Sequence, residues 1–204
     1  MSDDASSAAP INAAPSIPGA RHGAATGGFV LVVGPSGAGK DTVIAGARAA
    51  LAGDDRFVFA RRVVTRPSSA WEDHDSLSPE AFGEARAAGR FALDWDAHGL
   101  SYALPAQTLL DARAGRIVVA NVSRQVVPGA RSRLPGVSVV EVTAAPETLA
   151  RRLAGRARAE DGDLRVRLHR SATLAPVAAE LVIHNDGRPE DAVALLLEHL
   201  RGRR

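Results

Sequence analysis

The chain has 204 residues, 46% of them hydrophobic, enough to bury the core of one domain of ordinary size. It contains no cysteine, which excludes disulfides and thiolate metal sites and fits a reducing cytoplasm. A formal charge of +2, no basic run interleaved with aromatics and no stretch near the ~18 apolar residues of a membrane span argue against nucleic acid and membrane as partners.

In chain order, residues 1–27 are Ala, Ser, Pro and Gly with a few charges, and read as a disordered tail. They lack the basic start and continuous apolar core of a signal peptide. The folded part is expected from Gly28. The apolar run Phe29 to Val33 predicts a buried strand, and Val43 to Leu51 predicts a helix. Between them stands Gly34-Pro35-Ser36-Gly37-Ala38-Gly39-Lys40-Asp41-Thr42. A strand, a glycine-rich turn and a helix are the context of a phosphate-binding P-loop. The glycines let successive backbone N–H groups turn toward one anion, and the helix N-terminus adds partial positive charge. Lys40 meets the outer phosphates of a nucleotide. It is also the only lysine in the chain, where every other cationic side chain apart from histidine is arginine. Asp41 occupies the place where Ser or Thr usually holds the metal, and Thr42 comes one residue late.

Residues 56–65 predict one strand, ended by Arg66-Pro67. Ser78-Pro79 is a helix start, with Ser as cap and Pro at the first helical position, and the helix runs to about Ala88. Short strands are expected at 91–96 and 101–104, and a helix opened by Pro105 that stops by Gly115. Ile117 to Ala120 and Val137 to Val142 read as buried parallel strands. Helices follow from Pro146 to Leu153 and from about Leu164 to Leu174, flanking a charged glycine-bounded loop at 155–163. Leu181 to His184 is the last strand, and Pro189 to Leu200 the last helix. Alternating strands and helices predict a three-layer α/β/α fold on a mostly parallel sheet, with the P-loop at the carboxyl edge where such sheets bind ligands.

Several stretches together resemble the guanylate kinase-like branch of the P-loop nucleoside monophosphate kinases. They are Gly34 to Lys40, Val64-Thr65-Arg66-Pro67, His98-Gly99-Leu100-Ser101-Tyr102, the lid approach Leu149 to Arg156, and Asn185-Asp186 after the last strand. The resemblance covers residues 28–204 and implies a kinase core, an acceptor subdomain at about 61–104 and a lid at about 155–164. The departures are as informative. Asn121 and Ser123 stand where guanylate kinases carry two acids, and Leu93 stands where they carry a guanine-reading Glu. A site without those groups cannot select guanine strongly, because such discrimination comes from buried polar partners.

A smaller family in this branch combines Gly39-Lys40-Asp41-Thr42, Thr65-Arg66-Pro67-Ser68-Ser69-Ala70 with Glu72 and His74, and Asn121-Val122-Ser123-Arg124. The chain resembles this family, the ribose 1,5-bisphosphate phosphokinases of phosphonate degradation. The resemblance implies ATP-dependent conversion of ribose 1,5-bisphosphate to 5-phosphoribosyl 1-diphosphate, with Mg²⁺ as cofactor. The alternatives are a guanylate or other nucleoside monophosphate kinase, and an inactive binding module of the same fold. The expected partners are ATP and a phosphorylated sugar, with a homodimer left open.

On this reading ATP is held by Gly34, Pro35, Ser36, Gly37, Ala38, Gly39, Lys40, Asp41 and Thr42, with Arg158, Asn185 and Asp186. Lys40, Arg152 and Arg156 serve catalysis, and Asp41 and Thr42 the metal. Asp41 also suits the helix dipole alone, or supplies the charge lost at Asn121. Arg66 is the first choice for an acceptor phosphate, followed by Arg61, Arg62 and Arg124, since two phosphates need more than one guanidinium. Arg61 and Arg62 fit a solvated strand edge equally well. Glu72 and His74 either bond ribose hydroxyls or form a surface turn. Tyr102, Asn121 and Ser123 complete the acceptor set by resemblance. A phosphate acceptor is already an anionic nucleophile, so no general base is needed, and none stands out in the sequence.

Overall fold

The computed structural model describes residues 27–67, 74–155 and 177–203. A five-stranded sheet has the order β2-β7-β1-β8-β9, and every neighbouring pair is parallel. Its strands are β1 (Gly28–Val33), β2 (Phe57–Phe59), β7 (Ile117–Asn121), β8 (Ser138–Thr143) and β9 (Leu181–His184). Both faces are covered, which is why β1 and β7 read as unbroken apolar runs. On one face, Val30, Val32 and Val140 pack with Val43, Ile44 and Ala47 of α1 (Lys40–Ala50) and Leu196 and Leu200 of the C-terminal helix α6 (Pro189–Gly202). On the other, Phe29, Leu31 and Val139 pack with Ala112 of α3 (Gln107–Arg113) and Ala130 of α4 (Val127–Arg133). The predicted three-layer α/β/α class is the observed one.

A second, four-stranded mixed sheet has the order β4-β3-β6-β5. It is built from β3 (Arg62–Val64), β4 (His74–Ser76), β5 (Phe91–Ala97) and β6 (Leu100–Pro105). Leu93 and Leu104 face the main core, while Val63 and Ala103 pack on Phe82 of α2 (Pro79–Ala87). Ser78 caps α2 as predicted, its Oγ accepting from Ala81 N–H at 3.1 Å. His98 and Gly99 both have positive φ, 56° and 75°, and close β5 onto β6 in a two-residue hairpin.

Three expectations change. The single strand at 56–65 is two strands in different sheets. Ala60 N–H still reaches Val119 O at 2.9 Å, and the chain then leaves β7 for the second sheet. The break is invisible to apolar patterning, because both halves are apolar enough to be strand. Pro105 closes β6 instead of opening a helix; α3 begins at Gln107, and Pro105 O accepts from Thr108 Oγ1 at 2.7 Å. The sequence reading also passed over α4, whose Val127 and Ala130 lie on one helical face with Leu134. Gly129 in its middle masks that spacing. The predicted helix at 164–174 and the lid beyond Gly155 fall outside the described residues.

At the opposite edge of the sheet from the P-loop, Ser138 Oγ lies 2.9 Å from His199 Nε2. Glu180 lies nearby, its carboxylate held by Val139 N–H at 2.6 Å and Arg131. The trio has the residue types of a hydrolase triad, but Ser138 is only 1% exposed and no substrate can reach it. Burial, helped by the positive Arg203, pushes the His199 imidazole below its ordinary pKa, and Glu180 opposes this only in part. Folding therefore favours neutral His199. That stability is present above the unfolded pKa and is lost as pH falls through the lower folded value. Thermal unfolding followed from pH 7.5 to pH 5 is expected to show a steeper fall in Tm for wild type than for His199→Gln, which keeps a hydrogen-bonding group without titrating. Parallel pH profiles would remove His199 from the acid sensitivity.

Candidate active site

The site is built on the carboxyl edge of the parallel sheet. β1 ends at Val33, and the loop from Gly34 to Gly39 leads directly into α1. Gly34, Gly37 and Gly39 all have positive φ, at 144°, 85° and 90°, which curls the backbone into an anion cradle. The loop has no room for side chains at two of these points. A Cβ on Gly34 would lie 1.9 Å from Val142 O, and one on Gly39 would lie 2.5 Å from Asn185 Nδ2. Lys40 starts α1, and its Nζ donates to Gly34 O and Pro35 O, each at 2.9 Å. The ammonium is thus tethered across the mouth of the loop.

Asn185 is 3% exposed and follows β9. Its Nδ2 donates to Ala38 O at 2.8 Å, and its N–H donates to Thr143 O at 2.8 Å. It supports the P-loop from the core side, a role the sequence reading did not foresee. Asp186 accepts from Ala145 N–H at 2.8 Å. That bond holds its carboxyl below the usual range, with help from Thr148 and the charges of Arg152 and His184. The pair therefore braces the turn before α5 (Pro146–Gly155). α5 packs against the loop itself: Leu153 lies beside Gly37, and Arg152 Nη1 reaches toward Gly37 O at 3.5 Å. Arg152 is thus placed beside the phosphate cradle. Arg156 and Arg158 lie outside the described residues, as does Glu72.

Asp41 and Thr42 are exposed on the first turn of α1. Asn121, the last residue of β7, donates from Nδ2 to Asp41 Oδ1 at 2.7 Å. The two departures from the guanylate kinase pattern are in direct contact. The amide at the strand end thus binds the acid at the helix start. Ser123 opens the 3₁₀ turn Arg124–Val126, its carbonyl accepting from Val126 N–H.

The arginines expected to bind the acceptor are engaged within the protein. Arg61 Nη2 pairs with Asp75 at 3.1 Å and donates to His74 O at 3.2 Å. The Arg62 guanidinium sits 5.9 Å from the Tyr102 ring centre, and Tyr102 stacks on Trp95 at 5.6 Å. His74 is 2% exposed within β4 and paired to Arg62 in register, so the surface-turn alternative does not hold. Arg66 follows β3 and is half-buried at the end of the second sheet. Arg124 is drawn to Glu141 on β8, Nη2 to Oε1 at 2.6 Å. Glu141 was not foreseen; the one charged residue inside the apolar run 137–142 was the available signal.

The phosphate loop on a doubly covered parallel sheet, the lone lysine at its helix start and the small second sheet beside it define a P-loop kinase of guanylate kinase-like architecture. No family model matches the chain. The ribose 1,5-bisphosphate phosphokinase PhnN of Methylobacterium radiotolerans is 58% identical over 175 residues, 86% of this chain and 98% of that protein. The same-named protein of Rhodopseudomonas palustris is 52% identical over 175 residues, 86% of this chain and 89% of its own. The solved guanylate kinase of Anaplasma phagocytophilum superposes with a TM-score of 0.65 over 86% of both chains at 18% identity, a likeness of fold. The chain belongs to the ribose 1,5-bisphosphate phosphokinase family.

Proposed function

We propose that this protein transfers the γ-phosphoryl group of ATP to the 1-phosphate of ribose 1,5-bisphosphate, giving 5-phosphoribosyl 1-diphosphate and ADP in phosphonate catabolism. An oxygen of the acceptor phosphate attacks the γ-phosphorus, the bond to the β–γ bridging oxygen breaks, and its electron pair leaves with ADP. The acceptor is an anion, so no side chain must remove a proton. The protein supplies position and charge. Lys40 and the backbone N–H groups of residues 36–40 take the β- and γ-phosphates. Arg152, with Arg156 and Arg158, closes on the transferring group. Arg66 and Arg124 take acceptor phosphates.

The oxygen donors Asp41 and Thr42 beside the loop suit magnesium, which binds through one or two protein oxygens and keeps waters. Magnesium supplies neutralisation of the phosphate charge when bound. Asn121 holds the Asp41 carboxylate toward that position. The 2.7 Å Asn121–Asp41 contact is the observation that carries the reading. It joins Asn121 and Asp41, two of the positions at which the chain departs from the guanylate kinase pattern. Leu93, only 2% exposed in the core, offers a guanine ring no acceptor. Each guanine N–H left unpaired costs about 1–3 kcal/mol.

An acceptor panel with ATP and Mg²⁺ tests the proposal, with ribose 1,5-bisphosphate beside GMP, AMP, UMP and dTMP. Ribose 1,5-bisphosphate is expected to exceed GMP by at least about a hundredfold in kcat/KM, since more than one unpaired donor is at stake. Preference for GMP would overturn it.

A further inference from the structure

Glu141 has no assigned role, yet its place in the sheet is specific. Its register partner on β1 is Val33, the residue before the P-loop. Val140 and Val142, its neighbours along β8, point into the core under α1. Strand alternation therefore turns Glu141 to the other face, where Val33 and Val139 pack with Leu93, Trp95 and Leu104 of the second sheet. β7 flanks β1 on its opposite side, and Arg124 follows the end of β7 by three residues. The 2.6 Å Arg124–Glu141 pair thus joins the ends of two strands across the end of the strand between them. It lies where β1 becomes the phosphate loop, on the face of the second sheet.

The two side chains are 12% and 20% exposed. An ion pair so largely withdrawn from water carries a desolvation cost that its attraction need not exceed, so stability is a weak reason for its presence. Geometry is a better one. An arginine recognises phosphate through a flat, two-pronged donor edge, and holding that edge still removes rotamer entropy from the binding step. Glu141 anchors Nη2 and so restricts how the guanidinium plane can turn.

We infer that Glu141 is a positioning residue that orients Arg124 toward the acceptor phosphate receiving the γ-phosphoryl group. The inference rests on the phosphate-acceptor reading of the site above. Arg124 makes the contact, and Glu141 acts only through it.

The test is a double-mutant cycle with Glu141→Ala, Arg124→Ala and the double variant, together with Glu141→Gln, whose size is unchanged and whose Oε1 still accepts from Nη2. Steady-state constants are measured for ATP and for the acceptor, and folding is checked by thermal unfolding. Glu141→Ala is expected to raise the acceptor KM by about tenfold while the ATP KM stays within about twofold. Glu141→Gln should recover most of that loss. In the Arg124→Ala background, removing Glu141 should change the acceptor KM by less than about twofold, since its effect has no other route. A purely structural role would instead lower Tm and weaken both substrates together. Equal effects on ATP and acceptor, losses that multiply in the double variant, or an unchanged acceptor KM in Glu141→Ala would overturn the inference. If Glu141→Ala does not fold, Glu141→Gln and Arg124→Ala decide it: an acceptor KM altered by Arg124→Ala and largely preserved by Glu141→Gln supports it, and any other pattern overturns it. The wild-type acceptor panel separates this from the functional reading. Were GMP the preferred acceptor, that reading would fall, and the same cycle run with GMP would still decide whether Glu141 works through Arg124.

Discussion

Lys40→Ala is expected to lower kcat by about a hundredfold to a thousandfold, the scale of removing a preorganised donor from a transition state. The ammonium bonds two loop carbonyls, Gly34 O and Pro35 O, which hold it at the loop. Losing those two bonds costs the fold about 1 kcal/mol each, so Tm should fall by several degrees at most. Lys40→Arg should fail as well. Its planar fork is bulkier and spreads its charge, and it cannot point one compact cation at a phosphate from between two carbonyls. Turnover of either variant within about threefold of wild type, at saturating ATP and acceptor, would remove Lys40 from the chemistry.

Gly34→Ala should cost at least about 3 kcal/mol of stability, from a strained backbone plus a clash that cannot relax. The position has φ 144°, and the added Cβ would sit 1.9 Å from Val142 O, a backbone atom of the neighbouring strand. β1 and β8 are locked in parallel register up to Val33 and Glu141, so neither chain can move aside without breaking the ladder. The Gly34 carbonyl is also a partner of Lys40, so nucleotide binding should weaken with the fold. Gly53→Ala is the control. It has φ 86° but nothing within 4 Å of the added atom, and should cost only the conformational strain of about 1–2 kcal/mol. Chemical denaturation of the two variants separates the terms. Equal losses would mean that the close approach at Gly34 has no energetic weight.

The elements that were legible in the sequence are those with local causes. The P-loop was readable because strand, glycines, lysine and helix are consecutive in the chain. Ser78-Pro79 was readable because a cap satisfies its own helix. The buried strands at 29–33 and 117–120 were readable because a parallel strand covered on both faces must be apolar throughout.

Other features depend on which strands become neighbours, and no local pattern reports that. The chain parts from β7 after Ala60 because β6 offers Val63 and Val64 new partners in Ala103 and Tyr102, about 40 residues ahead in the chain. Asn121 meets Asp41 across 80 residues, and Asn185 meets Ala38 across 147. The amino-acid sequence by itself determined the phosphate loop, the alternating α/β order and the family resemblance. Only the tertiary structure decided that Asn185 braces the loop, that Arg61 and Arg62 are engaged within the second sheet, and that Glu141 faces Arg124. Sheet order converts sequence distance into contact, and it is set by the burial of whole faces rather than by any single residue along the chain.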